Sequence, residues 1–211
     1  MRNTVPNLTD LRCLSEPDVA NAARVLARSF PDDPMIRYVF LDEPEAERKM
    51  LLLFKVIVRY GLTYGEVYAP SSNIEGVAIW HTSDNNIWDQ AKLEECGLSE
   101  FSSQVSPAVM EKIVLLDDFA ISRKKMNVPF RHWYLAFIGV DPEHHGKGFA
   151  SALIKPMLER IDRENMPCYL ETATEKNAAI YGHLGFKLIE KVLVPGTNVY
   201  LYTMLIGRNK R

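Results

Sequence analysis

From residue 132 to residue 162 the chain runs through a strand, a stop, two spaced glycines and a helix, and this succession constrains the fold more than any other stretch. HWYLAFIGV is apolar and aromatic, as a strand buried on both faces must be, and Asp141-Pro142 ends it because proline offers no ladder donor. SALIKPMLERI then returns apolar residues at helical spacing. Between them Gly146 and Gly148 permit positive φ and close backbone approach. Successive N–H groups from His145 through Lys147, Phe149 and Ala150 to Ser151 can therefore converge on an anion at the helix N-terminus. Gly-x-Gly also closes ordinary turns, and it is the strand-turn-helix context that favours a cradle. A Walker loop would need Gly-Lys-Ser/Thr, whereas Lys147 is followed by Gly148. No Gly-x-Gly-x-x-Gly is present either, so nucleotide hydrolysis and hydride transfer both lose support.

Further along, YLETATEKNAAIYGHLGFKLIE gives a strand, Asn177, a helix bearing Tyr181, and Leu-Gly-Phe leading into another strand. With this second segment the chain resembles the GNAT superfamily of N-acetyltransferases. VDPEHHGKGFASALI is similar to that family's acetyl-CoA pyrophosphate loop, whose pattern is Gln/Arg-x-x-Gly-x-Gly/Ala. It departs from the pattern at the start, where His145 precedes Gly146 in a place that commonly carries Gln or Arg, and Ala150 takes the last small position. The likeness covers residues 130 to 206 well and the remainder loosely. HWYLAFIGVDPEHHGKGFASALIKP, PCYLETATEKNAAIYGHLGF and the later VPG resemble the puromycin N-acetyltransferase branch, which shares a helical insert in mid-chain. That likeness does not name the acceptor amine, because an acceptor pocket can change while a cofactor loop stays.

The resemblance implies an α/β fold: a mixed, mostly antiparallel central sheet flanked by helices, with a splayed pair of central strands. It implies acetyl-CoA as cofactor, with no metal, and direct attack of an amine on the thioester through a tetrahedral intermediate. The exposed backbone of Phe137, Ile138, Gly139 and Val140 would bond the pantetheine amides as a pseudo-strand. Asn177 would add a side-chain contact, and Tyr181, four residues on along one helix face, would act as general acid toward the departing thiolate. The alternative for Tyr181 is a core tyrosine beside Leu184 and Phe186. An alkylammonium must lose a proton before it attacks, and Glu171, ending the strand YLE beside the splay, is the first choice of base, with a structural hydrogen-bonding role as the alternative. His132, His144, His145 and His183 show no ligand or triad spacing, and the loop histidines can simply touch phosphate.

For the acceptor, Phe30, Asp32 and Asp33 lie in the loop between the first two helices, and Tyr134 belongs to the aromatics that line a pocket or fill the core. Asp32 and Asp33 either attract a cationic amine or serve ordinary helix-stop chemistry.

Of the 211 residues, 47% are apolar and 25% charged, which suits one folded domain spanning 1–211, with 83–128 as a helical insert between strands. A net charge of −2 gives no general attraction to nucleic acid, and the basic Arg208 to Arg211 reads as a solvated tail. Cys13, Cys96 and Cys168 lack metal or disulfide spacing. With no signal peptide and no apolar run long enough for a membrane span, a cytoplasmic protein is expected, without membrane partners and either monomeric or homodimeric.

Along the chain, LTDLRCL reads as a strand, VANAARVLARSF, MIRYVF and EAERKMLLLFKVIVRYGL as helices, and GEVYAP with IEGVAIWHT as a hairpin. IWDQAKLEECG and PAVMEKIVLLDDFAISRKKM are helical, the latter with Ile113, Leu116, Phe119 and Ala120 on one face. FKLIEKVLV and VYLYTMLI close the chain as an antiparallel pair around Pro195-Gly196. The expected function is acetyl transfer to a primary amine of a small antibiotic-like or metabolite-like molecule. The alternatives are a catalytically silent acyl-CoA-binding sensor or partner subunit, and a peptide or protein N-acetyltransferase.

Overall fold

The computed structural model describes residues 10–84 and 88–207. Seven strands form one sheet: β1 (Arg12–Cys13), β2 (Glu66–Ala69), β3 (Gly76–Thr82), β4 (Trp133–Val140), β5 (Cys168–Thr172), β6 (Lys187–Leu193) and β7 (Tyr200–Ile206), in the order β1-β2-β3-β4-β5-β7-β6. Every neighbouring pair is antiparallel except β4 and β5. The sheet is therefore mixed and mostly antiparallel. The strand expected over LTDLRCL is paired only at Arg12 and Cys13, and its first two residues lie outside the described residues. Arg208 to Arg211 also lie outside them.

Among the described residues eight α-helices flank the sheet: α1 (Val19–Ser29), α2 (Pro34–Phe40), α3 (Ala46–Tyr64), α4 (Gln90–Glu95), α5 (Leu98–Ser102), α6 (Pro107–Asn127), α7 (Phe149–Arg163) and α8 (Glu175–His183). One face of the sheet carries α1 and α3, with Leu26, Phe54, Tyr60, Val77 and Ile79 buried between the layers. The other face carries α7, whose Leu153, Ile154 and Met157 pack against Ala78, Trp80, Leu135 and Leu170. Removing each such side chain from water contributes roughly 1.5–3 kcal/mol. Both central strands thus face apolar layers, which is why β3 and the first half of β4 read as continuous apolar runs.

Helix α6 is clamped at both ends. At its start the Ser106 N–H and Oγ donate to the Glu43 carboxylate at 3.1 and 2.6 Å, and Lys49 Nζ donates to the same carboxylate at 2.6 Å. At its end Arg123 pairs with Glu190 of β6, its Nε donating at 2.9 Å, and Asn127 Nδ2 donates to Thr203 Oγ1 of β7 at 3.1 Å. These contacts hold the mid-chain helix across the sheet.

Candidate functional site

β4 and β5 pair in parallel at three positions only, Trp133 with Cys168, Tyr134 with Tyr169 and Leu135 with Leu170. Beyond Leu135 and Leu170 they separate. Against β3 the register of β4 slips: Ile79 opposes Phe137 and Trp80 opposes Leu135, leaving Ala136 as a bulge at the point of separation. A bulge beside a splay bends the strand and leaves Ala136, Phe137 and Ile138 with no β5 partner. All three line a cavity of about 220 Å³.

The same strand runs on into the glycine loop. Asp141 accepts the Glu143 N–H at 3.0 Å and starts a short 3-10 turn, Pro142–His144. Arg28 of α1 holds this turn through Asp141 at 3.1 Å and Glu143 at 2.7 Å. Gly146 and Gly148 adopt φ of +76° and +86°, and a Cβ on either would meet nothing within 4 Å. Gly148 is the N-cap of α7, no side chain caps that end, and the first turn holds no acidic residue. Uncapped N–H groups above open space, at the positive end of a fifteen-residue helix, fit a bound phosphate group.

His145 turns back, its Nε2 lying 2.9 Å from the Val140 carbonyl, which also accepts Ser29 Oγ at 2.9 Å. Lys147 Nζ donates to the Glu143 carbonyl at 3.0 Å. Gly139 is buried, and a Cβ there would come within 2.8 Å of Ser29. Its lack of a side chain lets α1 approach β4. Phe149, Ala150 and Ser151 form the first turn of α7 and are partly exposed.

In the cavity wall, Phe30 packs on Phe54 and Phe137 with ring centroids 5.4 and 6.0 Å apart. Asp33 lines the cavity and caps α2, accepting the N–H groups of Met35 and Ile36 at 2.9 and 3.3 Å. Burial pushes its carboxyl upward. Asp32 is exposed and does not line the cavity. Of the tryptophans, Trp80 and Trp133 sit in the core on the α7 side, while Trp88 lines the cavity.

Asn177 and Tyr181 face the cavity from α8, which Thr174 caps by accepting the Asn177 N–H at 3.1 Å. Tyr181 also packs against Phe186, centroids 6.0 Å apart, so it has both a core contact and a cavity face. Burial, followed by the charge of Asp33, raises its phenol, which therefore stays protonated at neutral pH.

Glu171 lies on β5 and accepts two hydroxyls, from Tyr134 at 3.0 Å and Tyr169 at 2.8 Å. Burial raises its carboxyl, opposed first by the charge of Lys124 and then by the two tyrosines. Around it stand two residues of α6 that sequence reasoning passed over. Asp117 is pushed up to about 7, chiefly by burial and then by Glu171. Lys124 is lowered by burial, against the upward pull of Glu171 and Asp117, and lies 4.4 Å from the centre of the Tyr134 ring. Asp117 and Lys124 are seven residues apart and share the face that carries Leu116 and Ala120. Two charged residues breaking into an apolar stripe were the signal available in the sequence.

Among the described residues no group of His, Cys, Asp and Glu suits a metal, and no helix is long and apolar enough to cross a membrane.

The acetyltransferase (GNAT) family model matches residues 116–186. An uncharacterized N-acetyltransferase of Schizosaccharomyces pombe is 28% identical over 189 residues, covering 86% of this chain and 75% of its own length. A histone acetyltransferase HPA2 and related acetyltransferase structure from Corynebacterium glutamicum superposes with a TM-score of 0.68 at 18% identity, covering 99% of each chain. The Drosophila melanogaster polyamine N-acetyltransferase gives a TM-score of 0.62 at 14% identity, covering 94% of this chain and 99% of its own. Arylalkylamine N-acetyltransferase 2 of Aedes aegypti gives 0.58 at 18%, covering 93% and 97%. These likenesses show that the fold is the GNAT fold.

Proposed function

We propose that this chain is an acetyltransferase that uses acetyl-CoA to acylate the primary amine of a small molecule by direct attack. The observation that carries the proposal is the opening beyond Leu135 and Leu170, where one strand, β4, supplies the cavity wall and then the glycine loop. When bound, acetyl-CoA supplies an activated acyl thioester. Residues His145 to Ser151 would hold its pyrophosphate at the start of α7, and the unpaired edge of β4 from Phe137 to Val140, with Asn177, its pantetheine arm.

The chain's own residues account for the protons. Glu171, raised by burial yet steadied by two tyrosine hydroxyls, accepts the proton of an incoming ammonium. Tyr181 retains its proton on Oη and is the donor facing the cavity from the α8 side. Phe30, Asp33 and Tyr134 border the acceptor, and the apolar wall excludes water from it. The three cysteines are free and suit a reducing cytoplasm.

Thiol release with a panel of small amines, puromycin among them, and with peptides bearing free N-termini tests this reading. Turnover of at least one small amine is expected. Turnover confined to peptides would replace it with a protein acetyltransferase.

A further inference from the structure

The proposed acceptor cavity contains a cation of its own. Lys124 of α6 and the carboxylates of Asp117 and Glu171 face one space, and among the described residues no ion pair within 4.0 Å joins the lysine to either acid. Asp117 and Lys124 each feel the charge of the other two, and Glu171 feels that of Lys124. Once the pH is high enough for Asp117, pushed up to about 7, to ionise along with Glu171, the trio leaves one negative charge in surplus, which complements a single ammonium. The fourth ionisable group in the wall besides the tyrosines, Asp33, is engaged by two backbone N–H groups of α2. The remaining surface is largely apolar, Val56, Ile57, Phe101 and Leu116 among it, with Thr172 and Asn177 as uncharged polar residues. A second ammonium on the acceptor would meet Lys124, hydrocarbon or uncharged polar groups, and the one further carboxylate, Asp33, is already engaged by backbone N–H groups, so burying that ammonium without a charged partner carries a large desolvation cost.

We propose that the acceptor is a monoamine with an apolar body, and that Lys124 is the specificity-determining residue that excludes diamines and polyamines. The inference rests on the acceptor site assigned above. Specificity here comes from a repulsive element built into the site, as discrimination between similar ligands often requires. Lys124→Met keeps much of the side-chain volume while leaving the two acids unopposed, and Lys124→Arg keeps the charge.

The test is calorimetric titration of 2-phenylethylamine and 1,5-diaminopentane into the coenzyme A-loaded protein and both variants, alongside thiol release. Wild type should favour the monoamine by about tenfold or more, Lys124→Met should shrink that ratio by about tenfold, and Lys124→Arg should preserve it. A wild-type ratio near one, a ratio unchanged in Lys124→Met, or no binding of either amine would overturn the inference. Binding with the expected ratios but no thiol release would sink the catalytic proposal alone.

Discussion

Leu135 and Leu170 are the last paired residues of the parallel strands β4 and β5, and Glu171, the unpaired edge of β4 and the glycine loop all follow that pair along their strands. The parting follows from the bulge at Ala136, which takes up one residue of β4 without a β3 partner. A sheet that opens in its middle exposes backbone donors and acceptors that an acyl chain can satisfy, and it leaves room for an acceptor from the opposite side.

Gly148→Val should abolish coenzyme binding without unfolding the protein. At φ +86° a β-branched residue is strained by roughly 1–2 kcal/mol, yet its Cβ meets no protein atom within 4 Å. A small fall in Tm with loss of coenzyme affinity is the expected pair of results. Unchanged affinity would remove the loop from the cofactor site.

Tyr181→Phe removes the phenol while leaving the packing on Phe186 in place. If the hydroxyl gives up a proton in the reaction, kcat for thiol release should fall by roughly 10²-fold or more, with coenzyme affinity close to wild type. A loss of stability with kcat preserved would reduce Tyr181 to a core residue.

Asp117 makes stability depend on pH in a direction opposite to the usual carboxylate. Its folded-state value, about 7, lies above the ordinary 3.8, so between those limits the folded chain holds a proton that the unfolded chain releases. Stability contributed by this group therefore falls as pH rises through that window. The Tm of Asp117→Asn, measured against wild type, should gain progressively from pH 4 to pH 8. A constant difference would contradict the buried environment assigned to this residue.

Gly139→Ala tests the close packing of α1 on β4. A Cβ there would lie 2.8 Å from Ser29 Cβ and Oγ and 3.0 Å from Leu26 Cδ2, and relieving such overlap costs about 1–3 kcal/mol. Ser29→Ala in the same background should recover little, because its Cβ remains. Denaturant midpoints of the three proteins decide the point.

Much of the scaffold was legible because its signals are local. The apolar run ending at Asp141-Pro142 is β4, the positive φ expected of Gly146 and Gly148 is present, and the Pro195-Gly196 turn joins β6 to β7. Helix α7 begins at Phe149, two residues before the periodic run that announced it, because Gly148 rather than a side chain serves as its N-cap. The splay came from family likeness alone: β4 is apolar on either side of the parting, and the Glu171-Thr172 that ends β5 does not by itself mark it. Asp117 and Lys124 were missed because charged residues on a helix usually face water. Here the clamps at Ser106, Arg123 and Asn127, together with the buried Val109 and Leu116, fix α6 against the rest of the fold. Asp33 shows the reverse: it caps α2, in keeping with the turn chemistry of Asp-Asp-Pro, and also stands in the cavity wall.

The central claim, that the loop between β4 and α7 binds the coenzyme, is tested most directly by calorimetric titration of the purified chain with acetyl-CoA, with coenzyme A and ATP as controls. Saturable binding of both coenzymes and not of ATP is predicted. The absence of binding by either coenzyme would contradict the assignment of the loop and, with it, the proposed reaction.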